Sequence, residues 1–120
     1  MQIQEPTISA QRLNNVNWLF TVTYLAHFNP HEVGVLFQDA IELWEWDSSD
    51  HDHLKGYTDH ATFTPTTTDV WRQKRIIVDS GTLDTELGAE EIRARIWLGN
   101  IPVPPGNRVE EYTPIISISP

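Results

Sequence analysis

The densest collection of chemistry-bearing side chains lies between Trp44 and Gly56, which reads Trp-Glu-Trp-Asp-Ser-Ser-Asp-His-Asp-His-Leu-Lys-Gly. Glu45, Asp47, Asp50 and Asp52 offer carboxylate oxygens, the donors that a calcium ion takes in sets of six to eight. His51 and His53, with Asp47, Asp52 and His60, offer imidazole and carboxylate donors of the kind a zinc or other transition ion takes. A solvated acidic turn uses the same residues for nothing more than solubility.

The acid-aromatic-acid step at Glu45-Trp46-Asp47, the polar run and the later Asp52 and Gly56 resemble a calcium-binding loop of C2 domains. That resemblance implies calcium-dependent binding through Glu45, Asp47, Asp50 and Asp52. The likeness departs from the C2 pattern where Glu45 replaces the first Asp and His53 the last. The stretch also follows about three strands, earlier than in C2 domains.

A second constellation is a surface. Residues 92 to 98 alternate strictly, with Ile92, Ala94, Ile96 and Leu98 on one side and Arg93, Arg95 and Trp97 on the other. In the strand over 35 to 46, Phe37, Ile41 and Leu43 agree on one face, and Glu42, Trp44 and Trp46 fall on the opposite one. Either the two tryptophans lie outside, or a bulge near Asp39 and Ala40 turns them inward. With both strands in one sheet, Glu42, Trp44, Trp46, Arg93, Arg95 and Trp97 share an outer face. Tryptophan and arginine are enriched at interface hot spots, so this face is a candidate contact for a protein partner or a second copy of the chain. The alternative is a self-satisfied sheet face with Trp44 in the core.

The elements that would position these groups are strands. Residues 16 to 28 place Trp18, Phe20, Val22, Tyr24, Ala26 and Phe28 at period two, an aromatic row that faces a core. Residues 2 to 10 read as an edge strand, because Pro6 donates nothing to a ladder. Asn29-Pro30-His31-Glu32 carries the signals of one capped helical turn. Further strands are expected over 60–66, 69–79 and 108–118, with residues 47 to 59 as a loop and 84 to 91 as a corner. Over 69–79, Val70, Ile76 and Val78 oppose Trp71, Arg75 and Ile77, which leaves the facing open.

Seven short strands without a long helical period predict a single all-β domain over 1–120, an antiparallel sandwich. The aromatic second strand, Trp44 in the third, and the corner before Ile92 resemble an immunoglobulin-like or fibronectin-type fold. The cysteines and corner tyrosine of antibody domains are missing. The C2 likeness would imply an eight-stranded sandwich instead.

Composition narrows the function. The 120 residues carry a formal charge of −9, which repels phosphate and argues against nucleic acid, and against an anionic membrane without a bridging cation. A hydrophobic fraction of 39% with five tryptophans excludes an acidic disordered tail. The absence of cysteine excludes disulfides and thiolate metal sites. No signal-peptide pattern and no apolar span of ~20 residues is visible, so the expectation is a cytoplasmic protein. No phosphate-binding glycine loop, Gly-x-Ser-x-Gly or His-Glu-x-x-His occurs. The expected function is therefore a non-enzymatic binding module. A calcium-dependent C2-like module is the alternative, and an enzyme without a familiar motif carries least weight.

Overall fold

The computed structural model describes residues 1–46, 51–84, 89–100 and 108–120. Eight strands follow in order: β1 (Gln2–Arg12), β2 (Asn17–His27), β3 (Phe37–Trp46), β4 (His51–Phe63), β5 (Asp69–Asp79), β6 (Glu90–Asn100), β7 (Arg108–Tyr112) and β8 (Ile116–Ile118). They form two antiparallel sheets packed as a sandwich. The smaller sheet has the order β1-β2-β5, the larger β4-β3-β6-β7 with β8 also on β6. The expected last strand is two pieces. Thr113 is buried between them, its N–H donating to Ala94 O and its Oγ1 accepting from Ala94 N, both at 2.9 Å, and Pro114 follows.

The aromatic alternation of β2 is realised. Phe20, Val22, Tyr24, Ala26 and Phe28 are fully buried, and they meet Ile41, Leu43, Ile92, Ala94, Ile96 and Leu98 from the facing sheet. Trp18, at the strand end, is only partly buried and has Arg12 over its ring. Asn29 and Glu32 close the expected turn, now a 3-10 helix over Pro30–Glu32, with Asn29 N–H donating to Glu32 Oε1 at 2.9 Å. A helical turn over Ser80–Leu83 (α1) was not foreseen. Asp79 caps it, accepting from Thr82 N–H at 2.9 Å, and Leu83 is buried against the core.

One expectation is corrected and one open alternative is decided. The expected loop over 47–59 is largely strand, since β4 begins at His51, while Asp47 and Asp50 lie outside the described residues. The pairing of β3 with β4 slips between Asp39 and Ile41, between Ile41 and Leu43, and between Leu43 and Trp44. Each slip gives β4 an extra residue, and these bulges erase the period-two signal that would have marked a strand. By contrast β3 pairs with β6 without a shift, so no bulge turns the tryptophans on that side.

The open facing of β5 resolves with a polar surprise. Val70, Arg72, Lys74, Ile76 and Val78 face the other sheet, and Trp71, Gln73, Arg75 and Ile77 face out. Lys74, 1% exposed, donates from Nζ to Asp39 Oδ1 at 2.7 Å, and Asp39 is 0% exposed on β3. Arg72 adds Nε to Oδ2 at 2.9 Å, and Tyr24 from β2 adds its hydroxyl to Oδ2 at 2.6 Å. One carboxylate of the larger sheet thus ties two strands of the smaller. Burial alone would raise the Asp39 pKa, but the hydrogen bonds from Arg72, Lys74 and Tyr24 outweigh it and hold the carboxyl below its ordinary value.

Removing one partner of a buried pair leaves the other charge without compensation, so Asp39→Ala should destabilise by about 3–5 kcal/mol in urea unfolding. A depressed carboxylate contributes stability above its unfolded pKa and loses it as pH falls through the folded one. The gap between wild type and Asp39→Ala should therefore hold from neutral pH down to the ordinary carboxylate range and close only below it. A gap that closes nearer neutrality would show that Asp39 is not held as an anion.

Candidate functional site

The outer face of the larger sheet is set by the unshifted pairing of β3 with β6, which places Glu42 opposite Arg95 and Trp44 opposite Arg93. The inward side of β3 is taken by Phe37, Asp39, Ile41, Leu43 and Glu45, so Glu42, Trp44 and Trp46 stand outside with Arg93, Arg95 and Trp97. All six residues chosen from the sequence share one face. None of the three tryptophans is fully exposed, because neighbours stand over them.

At the hairpin end, His51 stacks on Trp46 at 3.6 Å between ring centres, and Trp46 meets Trp44 edge-on at 6.3 Å. His53 lies 4.7 Å from the Trp44 ring. Arg93 spans Trp46 and Tyr112, 5.0 and 4.9 Å from their ring centres, and donates Nε and Nη2 to Thr113 O at 3.0 and 2.7 Å. A guanidinium fits this place because its plane stacks on rings while its edge binds a carbonyl.

At the other end Trp97 is flanked by Tyr57 at 6.5 Å, with Arg108 5.9 Å over its ring. Glu110 collects a hydrogen bond from Tyr57 Oη at 2.9 Å and ion pairs from Arg95 and Arg108. Burial first, then the bond to Glu110, raises the Tyr57 pKa, so its hydroxyl remains a donor. Between the ends Glu42 is 5% exposed, with His53 Nε2 at 2.9 Å and Arg95 at 3.6 Å. Arg95 therefore sits between two carboxylates rather than at a free rim. Its replacement by an acid would set three carboxylates together, so it is a poor probe of binding.

No protein-family model, curated protein or solved structure matches the chain.

The metal hypotheses fare differently. Glu45 and Asp52 are cross-strand partners on the inward side of the hairpin, and Glu45 is buried. Asp47 and Asp50, the other two carboxylates of the calcium set, lie outside the described residues. For the transition-metal set, His51 and His53 turn to the outer face against Trp46 and Trp44, whereas Asp52 turns the other way. Strand alternation thus separates imidazole from carboxylate. Among the described residues, no group of three or more His, Asp or Glu side chains is placed to hold a metal ion. Among the described residues, too, no helix is long and apolar enough to cross a membrane.

Sequence reasoning missed Tyr57, Tyr112, Arg108 and Glu110 as members of the face. Tyr57 was hidden by the bulges of β4. The other three lie on β7, whose pairing Trp97 with Glu110 and Arg95 with Tyr112 is a long-range fact.

Arg93 is the most connected of these groups, and a lysine supplies neither its fork nor its plane. Arg93→Lys should lose about 1–2 kcal/mol in urea unfolding, through the lost carbonyl bonds and ring stacking. A loss within the error of zero would mean that Arg93 does not order the face.

Proposed function

We propose that the protein is a non-enzymatic binding module of immunoglobulin-like, fibronectin-type build that docks a protein partner through the outer face of its larger sheet. The strand order supports the build. The first, second and fifth strands share one sheet, and the third, sixth and seventh share the other. Immunoglobulin constant-type domains keep the fourth strand with the first group; here it sits beside the third.

The observation that carries the docking reading is the aromatic layer. Trp44, Trp46, Tyr57, Trp97 and Tyr112 lie on one face and are held by Arg93, Arg95 and Arg108. Rings that are already ordered avoid the entropy that a floppy surface loses on binding. Three of the eight Lys and Arg residues of an acidic chain gather here against Glu42 and Glu110. Its mixed charge allows the acids of one copy to meet the arginines of another, so the first partner to test is the chain itself.

Sedimentation of the wild type across a concentration series should show a reversible dimer. Trp97→Ala with Arg108→Ala should weaken it at least tenfold, about 1.4 kcal/mol, with little change in Tm. Wild type that stays monomeric would restrict the reading to a foreign protein. A double variant that unfolds would make the face structural and defeat the proposal.

The second reading is calcium-dependent binding at the β3–β4 hairpin. It is favoured by the placement of Glu45 and Asp52 opposite each other near the ends of the two paired strands. Millimolar calcium should then raise Tm over chelator, by mass action on the folded state. Asp47→Asn with Asp52→Asn should abolish that rise. Identical melting in chelator and calcium would retire this reading.

A further inference from the structure

A cleft of ≈510 Å³ runs between the edge strands β4 and β5. Leu13, Leu19 and Ile77 give it apolar walls, and Lys55, Asp59 and Arg75 stand along it. β5 is the outer strand of the smaller sheet and pairs with β2 over its whole length without a shift. Its free side is therefore a straight row of main-chain groups, flanked outside by Trp71 (62% exposed) and Ile77 (54% exposed). Natural sheets usually blunt such an edge.

Inward-pointing Arg72 and Lys74 are one such device, and among the described residues a side chain of β4 covers a main-chain donor of this edge. Asp59, at a bulge of β4 with φ +52°, accepts the Arg75 N–H through Oδ2 at 2.8 Å. Its carboxylate oxygen stands where the carbonyl of an added strand would stand. Positive φ in a residue other than glycine is a strained choice, and strain of this kind concentrates at ligand clamps.

Charge selects what would replace Asp59. Two of the eight Lys and Arg residues, Lys55 and Arg75, stand along this cleft, while Arg72 and Lys74 lie on the inward side of β5. Arg72 and Lys74 are engaged by Asp39. Among the described residues, the side chains of Lys55 and Arg75 form no ion pair, although Lys55 acts on Asp79 through space. A second β5 paired antiparallel about Arg75 would set arginine against arginine, so two copies repel at that point of the edge.

We propose that the β4–β5 cleft is a strand-addition site for an extended acidic peptide segment of a partner. Its main chain pairs with β5 around Arg75, a backbone carbonyl displaces the Asp59 carboxylate, its carboxylates meet Lys55 and Arg75, and its apolar side chains take the walls of the cleft. Main-chain pairing supplies affinity in such a mode and the alternate side chains supply selectivity.

The test uses the whole chain and an eight-residue capped peptide alternating glutamate with valine, with a lysine–valine peptide as control. Titration followed by amide NMR should saturate below roughly 1 mM for the acidic peptide alone. The Arg75 and Ile77 amides should shift and gain protection from exchange. Arg75→Ala and Lys55→Ala should each weaken binding several-fold, to about tenfold. Asp59→Ala should tighten it by clearing the edge. Arg75→Pro removes an N–H that β2 does not use, so it should abolish binding while circular dichroism stays native. Equal binding of both peptides, or binding indifferent to Arg75→Pro in folded protein, would overturn the proposal. So would wild-type self-association that Arg75→Pro abolishes, which would make a second copy the occupant.

Discussion

The two sheets are held in register by one carboxylate. Asp39 is the point at which β3 of the larger sheet meets β2 and β5 of the smaller, through Tyr24, Arg72 and Lys74. Apolar side chains slide past one another at little loss, because their attraction has no direction. A buried carboxylate with fixed donors does have one. Shifting β5 by one residue would turn Lys74 and Arg72 outward and strand Asp39 in the core, and a shift by two would break the hydrogen bonds. The tie need not add net stability over a well-packed apolar trio. What it adds is a single allowed register for β5, and hence a defined edge on the open side of the sandwich.

That register has consequences on both surfaces. On β5 it sends Trp71, Arg75 and Ile77 outward and leaves the Arg75 N–H pointing to the cleft, where Asp59 takes it. Asp59 also lies 3.9 Å from Lys74 Nζ, so the side chain that covers the edge is a neighbour of the buried tie. On β3 the same alternation that turns Asp39 inward turns Glu42, Trp44 and Trp46 outward. Inward and outward sets are therefore one decision. The outer face acquires its tryptophans because the core requires Asp39, Ile41 and Leu43 inside.

The sequence made legible what alternates without interruption. Residues 92 to 98 and the row from Phe20 to Phe28 follow the period of two, and both are seated as read. From them the two-sheet architecture and the shared outer face followed. Asp39 was not recognisable as a core residue, because its partners lie on strands far along the chain, and because a charged side chain on an inward position breaks the hydrophobic pattern that reveals facing. The stretch from His51 to Asp59 was misread as a loop for a local reason. Its bulges shift the pairing three times, and its composition of Asp, His, Lys and Gly is that of turns. The edge position of β5 was equally hidden, since a strand order is a property of pairing and not of any one strand.

The distribution of cations links the two surfaces to the acidic character of the chain. Only eight lysines and arginines balance seventeen acids, yet seven of those eight stand at the buried tie, the cleft or the aromatic face. Arg12, over Trp18, is the remaining one. Solubility alone would be served by scattering them, since interspersed charge lowers the local field. Concentrating them leaves most of the surface acidic. At the aromatic face each arginine is tethered to a ring, a carboxylate or a carbonyl, so its charge is fixed in position and partly neutralised. At the cleft, among the described residues, the side chains of Lys55 and Arg75 form no ion pair, although Lys55 acts on Asp79 through space. The difference follows from where the acids lie: Glu42 and Glu110 are on the face, whereas Asp39 is buried with Tyr24, Arg72 and Lys74, and Asp59 at the cleft takes the Arg75 main-chain N–H.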